Sequence, residues 1–282
     1  MPETERVAPD EDARTVVLRN GVRIPRVGLG VFRSPSGETT RQAVLWALEA
    51  GYRHIDTARI YGNEADVGTA IRQCGIPRDE IFITTKLWNT DHGYFGALRA
   101  CEASLRRLGL DHVDLFLVHW PVEGQRRETW RAMEQLLGDG KTRAIGVSNY
   151  MDNHLEELIA SADVLPAVNQ IEVSPFLQQR DVRRRCRELG ILVEAYSPLT
   201  KGHRLGHGEV AAVAVEVGRT PAQVLIRWAI ENSLVPLPKS TRRERILENI
   251  DVFDFELSRS QLARLNALEE GFHTGWDPTD AP

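Results

Sequence analysis

The chain has 282 residues, of which 42% are hydrophobic and 27% charged, and its formal net charge is −5. This is the composition of a soluble globular protein with a core of good size, and the acidic balance gives no support to nucleic-acid binding. No apolar run approaches the roughly 18 residues that span a bilayer, and the acidic, proline-containing start is neither a signal nor a transit peptide.

The first element expected is a hairpin, because residues 15–24 form two short β runs around Asn20-Gly21, a strong turn pair. Strand and helix then alternate. Strands are expected at 28–31, 52–57, 81–86, 113–119, 143–147, 167–173, 191–196 and 234–238. The first helical pattern, 40–50, carries Val44, Ala47 and Leu48 on one face and stops at Gly51; a second covers 64–73. The third, 94–108, stripes Leu98, Cys101, Leu105 and Leu108 ahead of Gly109. Further stripes hold Trp130, Met133 and Leu137, then Leu155, Leu158 and Ile159, then Val182, Cys186 and Leu189. A short helix near 209–217 precedes one opened by Thr220, Pro221 and Gln223, a capping box with proline at the first helical position. Another begins near Arg242, and Ser258 with Gln261 opens an extra one.

Eight strand–helix units without a linker predict an α/β chain: a single (β/α)8 TIM barrel with an N-terminal β-hairpin and extra C-terminal helices. The barrel domain is expected at 15–282, behind a flexible tail at 1–14. Cys74, Cys101 and Cys186 are odd in number, widely spaced and on helical patterns, so they read as buried thiols of a reducing cytoplasm. No pair of histidines has zinc spacing, and no metal is expected. Gly28-Leu29-Gly30 lacks the third glycine of a dinucleotide turn, and residues 138–142 lack the glycine spacing of a P-loop.

Polar, titratable residues close three successive strands: Asp56 with Tyr61 five residues on, Lys86, and His119. The C-terminal strand ends of a barrel form its mouth, where active sites sit. A phenol ionises near about 10, roughly three units too high for easy proton exchange at neutral pH. A lysine within hydrogen-bond reach lowers that value, and a carboxylate holds the lysine in place. Lys86 and Asp56 suit those roles, and His119 suits donation to a carbonyl oxygen or a relay to Tyr61. Singly, each has a plain reading, an ion pair or a satisfied hydrogen bonder. Together they favour proton transfer to a carbonyl while something else delivers a hydride.

Three blocks, residues 51–68, 108–121 and 237–249, resemble the signatures of the aldo-keto reductases, and residues 146–149, 169–172 and 195–199 match as well. The resemblance runs from 18 to 268. It implies a barrel that binds NADPH (NADP+) in extended form and reversibly reduces aldehydes and ketones. It implies Tyr61 as general acid/base, Lys86 and Asp56 as the pair that tunes it, and His119 as the residue that orients the carbonyl. Ser148, Asn149 and Gln170 match residues that hold the cofactor carboxamide, and Tyr196 matches the ring stacked on nicotinamide. Ser197 and Leu199 match the pyrophosphate loop. Lys239, Ser240, Arg245, Glu248 and Asn249 match the adenosine 2′-phosphate and adenine positions, so NADPH is expected over NADH. Arg242 departs from the small hydroxyl residue that many members have there, and the loop after Tyr196 is short.

Phe32, Trp88, Trp120 and Trp276 are candidates for the substrate wall, with the C-terminal segment expected over the barrel mouth. An aromatic pocket suits a dicarbonyl, a keto-sugar or a small aldehyde. The short loops and the Gly30-Val31-Phe32 segment resemble bacterial members such as the 2,5-diketo-D-gluconate reductases. A cytoplasmic monomer acting on a small-molecule carbonyl, without nucleic-acid or membrane partners, is the expectation. The alternative is a non-catalytic NADPH-binding reductase-fold subunit or sensor.

Overall fold

Residues 14–279 are described by the structure, a computed structural model. The tail expected at 1–14 lies outside them apart from Arg14, whose carbonyl accepts a hydrogen bond from the Arg26 amide at 2.8 Å. The hairpin pairs β1 (Thr15–Val17) with β2 (Arg23–Pro25) antiparallel, as Asn20-Gly21 required.

Eight parallel strands follow in chain order: β3 (Leu29–Gly30), β4 (His54–Asp56), β5 (Phe82–Leu87), β6 (Val113–Val118), β7 (Thr142–Ser148), β8 (Val168–Glu172), β9 (Leu192–Tyr196) and β10 (Val235–Leu237). The amides of Gly28 and Gly30 donate to the carbonyls of Pro236 and Pro238, both at 3.1 Å, which joins β3 to β10 and closes the sheet. The fold is a (β/α)8 barrel with an N-terminal hairpin.

The covering helices are α1 (Glu38–Glu49), α2 (Glu64–Gln73), α3 (Tyr94–Leu108), α4 (Arg126–Gly138), α5 (Asp152–Ile159), α6 (Arg180–Glu188), α7 (Gly208–Val217), α8 (Pro221–Glu231) and α9 (Arg243–Ile250), with α10 (Arg259–Asn266) beyond. The Thr220 hydroxyl accepts from the Gln223 amide and opens α8, and Ser258 does the same with Gln261 for α10. A Cβ on Gly68 would lie 1.9 Å from the Leu108 carbonyl oxygen, so only glycine lets α2 approach the end of α3 this closely.

Strand side chains alternate between two cores. Ile55, Ile83, Phe116, Ile145, Ile171 and Val193 face outward and pack with the helices. Phe82, Leu115, Ala144 and Val168 belong to a second cluster inside the barrel, which Leu18 and Ile24 of the hairpin plug from the N-terminal end. Each such burial contributes roughly 1.5–3 kcal/mol. Cys101 and Cys186 are buried, but Cys74, at the end of α2, is only half-buried, a departure from the expected burial. No described helix is long and apolar enough to cross a membrane.

Candidate active site

Parity along the strands turns Asp56 and Lys86 into the barrel. The Lys86 Nζ, fully buried, donates to both Asp56 carboxylate oxygens at 2.7 Å and to the Thr57 carbonyl at 2.9 Å, and lies 3.4 Å from the Tyr61 hydroxyl. A buried pair of this kind is poor value for stability alone, because both charges lose their hydration.

Tyr61 closes a 3-10 turn (Arg59–Tyr61), and Gly62 ends it at a φ of 71°, a left-handed value that suits glycine. Two residues not singled out in the sequence hold this turn. Asn63 accepts from the Thr57 hydroxyl at 2.8 Å and donates to the carbonyls of Val31 and Ser34, stapling the turn to the loop after β3. Glu64 accepts from the Thr85 hydroxyl at 2.7 Å and from Arg107 at 2.5 Å, which fixes the start of α2. Their signal was polarity directly after Tyr61-Gly62, in a segment that has to pack on the barrel.

The Tyr61 hydroxyl departs from expectation. Burial, reinforced by Asp56, holds its pKa well above 10, where the sequence suggested that Lys86 would lower it. Lys86 grips Asp56 at 2.7 Å and stands farther from the phenol, so its charge is spent on Asp56 and desolvation governs. Tyr61 is therefore a neutral phenol at neutral pH, a proton donor.

The His119 ring lies edge-on to Tyr61 and to Trp88, with centroids 5.8 and 5.2 Å away. Burial, with Lys86 nearby, pushes its pKa well below 6.5, so the imidazole is neutral. Its buried Nδ1 has no hydrogen-bond partner among the described residues. An orphaned lone pair is more tolerable than an orphaned N–H, which places the proton on Nε2.

The carboxamide candidates join the same network. The Gln170 Nε2 donates to Asp56 at 2.9 Å and to Glu194 at 2.8 Å. The Ser148 hydroxyl donates to the Gln170 carbonyl at 2.8 Å. Asn149 donates to the His119 carbonyl at 3.0 Å and accepts from the Tyr196 hydroxyl at 2.9 Å, so it braces both rings. Glu194 and His54 were missed in the sequence. They sit two residues before Tyr196 and Asp56, on the same inward face, and that parity was the available signal.

A second group lies past β10. Lys239 and Ser240 follow the strand, and Arg245 and Asn249 belong to α9. No carboxylate among the described residues pairs with Lys239, Arg242 or Arg245, which leaves three cations open to a phosphate. Burial lowers the Lys239 pKa. Glu248 is turned elsewhere, accepting from the Thr220 hydroxyl at 2.5 Å. Ser197 and Leu199 lie in the loop after β9, where Ser197, Thr200 and Lys201 adopt φ of 50°, 49° and 51°. Strained backbone of this kind gathers at functional loops.

Of the aromatic candidates, Phe32 stands 5.0 Å from the Tyr61 ring and Trp88 meets His119. Trp120 and Trp276 form a separate pair, with centroids 5.0 Å apart. The C-terminal segment is tied down by Glu172 at the end of β8, which accepts from the Thr274 amide (2.9 Å), the Thr274 hydroxyl and the Gly275 amide (3.2 Å). The Lys201 Nζ donates to the Thr274 carbonyl at 2.5 Å.

The Aldo/keto reductase family model matches residues 26–270. The uncharacterized oxidoreductase YtbE of Bacillus subtilis is 47% identical over 265 residues, covering 93% of this chain and 95% of that protein. The glyoxal reductase of the same organism is 46% identical over 266 residues, covering 94% and 96%. Among solved structures, an aldo-keto reductase from a Medee basin deep-sea metagenome library superposes with a TM-score of 0.91 at 43% identity, covering 95% of this chain and 99% of that one. A Bombyx mori aldo-keto reductase in complex with NADP superposes at 0.88 with 37% identity, covering 92% and 94%.

Proposed function

The chain belongs to the aldo/keto reductase family, and from that premise we propose that it reduces aldehydes and ketones reversibly with NADPH. The observation that carries the reading is the single Lys86 ammonium held between the Asp56 carboxylate and the Tyr61 hydroxyl. Bound nicotinamide supplies a hydride for the carbonyl carbon. Tyr61 gives its proton to the carbonyl oxygen, Lys86 stabilises the phenolate that forms, and Asp56 keeps Lys86 charged and fixed. His119 donates from Nε2 to the same oxygen and orients it.

The residues fit the cofactor. The Gln170 Oε1 receives no hydrogen bond from the described residues and suits a carboxamide N–H, with Ser148 and Asn149 beside it. Tyr196, anchored through its hydroxyl, offers its ring face to nicotinamide, and Ser197 and Leu199 line the pyrophosphate path. Lys239, Ser240 and Arg245 suit a 2′-phosphate, with Arg242 beside them and Asn249 near adenine. One Glu248 oxygen accepts from Thr220, and the other suits adenine. Phe32, Trp88, Trp120 and Trp276 wall the carbonyl site, and a dicarbonyl is the favoured substrate because one relative is named a glyoxal reductase.

NADPH consumption with dicarbonyls, keto-sugars and aldehydes, with NADH alongside, tests the reading. Turnover that prefers NADPH supports it. Tight NADPH binding without turnover of any of them would favour the non-catalytic alternative. Arg245→Ala is expected to weaken NADPH about tenfold and NADH little, as for the loss of one charge-assisted contact. Equal loss for both cofactors would remove Arg245 from the phosphate.

A further inference from the structure

Glu194 is a buried titratable group that the proposed reaction leaves unused. Strand β9 turns Leu192, Glu194 and Tyr196 inward, so Glu194 stands one inward position below Tyr196, with no exposed surface. It meets the Gln170 amide of β8, whose Nε2 reaches Glu194 Oε2 at 2.8 Å and Asp56 Oδ2 at 2.9 Å. An amide nitrogen carries two N–H bonds, and both are used here. Turned over, the amide would set its carbonyl oxygen against the Asp56 carboxylate, which has no proton to donate. From β4, Asp56 and His54 face Glu194, and from β5, Lys86 and Thr84 complete the surround. The His54 Nε2 is 3.6 Å from Glu194 Oε1 and 3.0 Å from the Thr84 hydroxyl. Burial lowers the His54 pKa to about 3, so that ring is neutral.

We propose that Glu194 is a positioning residue: by sharing the Gln170 amide with Asp56, it presents the Gln170 carbonyl oxygen to the nicotinamide carboxamide and steadies the carboxylate that holds Lys86. The inference rests on the nicotinamide-binding reading above. Glu194 touches neither substrate nor cofactor and acts only through Gln170. Its own carboxyl is pushed up to about 8, by burial first and Asp56 second. At neutral pH it is a neutral acid, able to accept from Gln170 without competing for Lys86. Above that value a second negative charge enters beside Asp56 and makes Tyr61 a weaker donor.

The test is a set of dissociation constants for NADPH and NADH, read from quenching of protein fluorescence, together with the pH profile of kcat. Glu194→Leu is expected to weaken both cofactors about tenfold and by the same factor, since they share the nicotinamide end. Glu194→Gln, which keeps an acceptor oxygen, is expected to restore binding to within about twofold and to lose the wild-type fall in kcat above pH about 8. In a Gln170→Leu background, Glu194→Leu is expected to add nothing. Unchanged binding in a folded Glu194→Leu protein would overturn the proposal, as would an equal defect in Glu194→Gln or a full effect without Gln170. Should Glu194→Leu fail to fold, an unchanged alkaline limb in Glu194→Gln overturns it. A wild-type protein that binds neither cofactor would instead sink the reductase reading beneath it.

Discussion

The two ends of the same eight strands differ in kind. At the N-terminal end the barrel is filled by Phe82, Leu115, Ala144 and Val168 and plugged by Leu18 and Ile24. At the C-terminal end it is closed by Asp56, Lys86, His119, Ser148, Glu172 and Tyr196. On β5 the inward series runs Phe82, Thr84, Lys86, on β8 Val168, Gln170, Glu172, and on β9 Leu192, Glu194, Tyr196. β5 and β8 pass from apolar to titratable in two inward steps, and β9 in one, at Glu194. Backbone strain follows the same division: every non-glycine residue with positive φ except Ser233 lies in a loop that leaves the C-terminal end of a strand. A cavity of about 240 Å³ beneath the hairpin holds Arg183 and Arg187 but none of the candidate acid–base residues. In barrels of this kind the floor carries stability and the mouth carries chemistry, and substitutions at each end should test that division here.

The largest effect is expected at the mouth. Tyr61→Phe removes the donor proton and leaves the packing, so kcat should fall by about 10²–10⁴-fold while NADPH binding stays near normal. Loss of binding as well would make Tyr61 a structural residue, and the division between the ends would blur. Next comes the floor. Leu115→Ala empties a fully buried site and should cost about 2–5 kcal/mol in denaturant unfolding. The kcat/KM of the molecules that remain folded should be unchanged. A matching loss of kcat/KM would mean that floor packing positions the mouth.

Much of this division is legible in the sequence, and the exceptions share a cause. The hairpin follows from Asn20-Gly21, and the mouth from Asp56, Lys86 and His119 at the ends of apolar runs. Those signals are local, and the chain realises them locally. The direction of the Tyr61 shift was not legible, because it depends first on burial of the phenol and then on the Asp56 charge, and only the folded barrel sets both. Glu194 was not legible as a buried acid, because a glutamate ordinarily faces water. Only its parity with Tyr196 spoke for the interior. The hold of Glu172 on Thr274 spans 102 positions, and no spacing rule reaches that far. Glu248, matched to a cofactor position by resemblance, accepts from Thr220, a contact decided by how α8 and α9 pack.

The most gradual effect, small per pH unit, is expected where floor and mouth meet, at Glu194. Its pKa rises from 4.5 to about 8 on folding, by burial and then Asp56, against the pull of Gln170 and Lys86. The folded state thus binds this proton more tightly than the unfolded chain. Its stabilising contribution is full below pH 4.5 and is lost as pH rises through about 8. The slope is at most about 1.4 kcal/mol per pH unit for one proton. Glu194→Gln has no proton to lose, so its stability relative to wild type should climb through that window and level off above it. Thermal unfolding of both proteins at a series of pH values reads the difference directly. Parallel curves would mean that Glu194 is already ionised in the fold, and the charged mouth would then reach one layer deeper into the barrel than its hydrogen bonds imply.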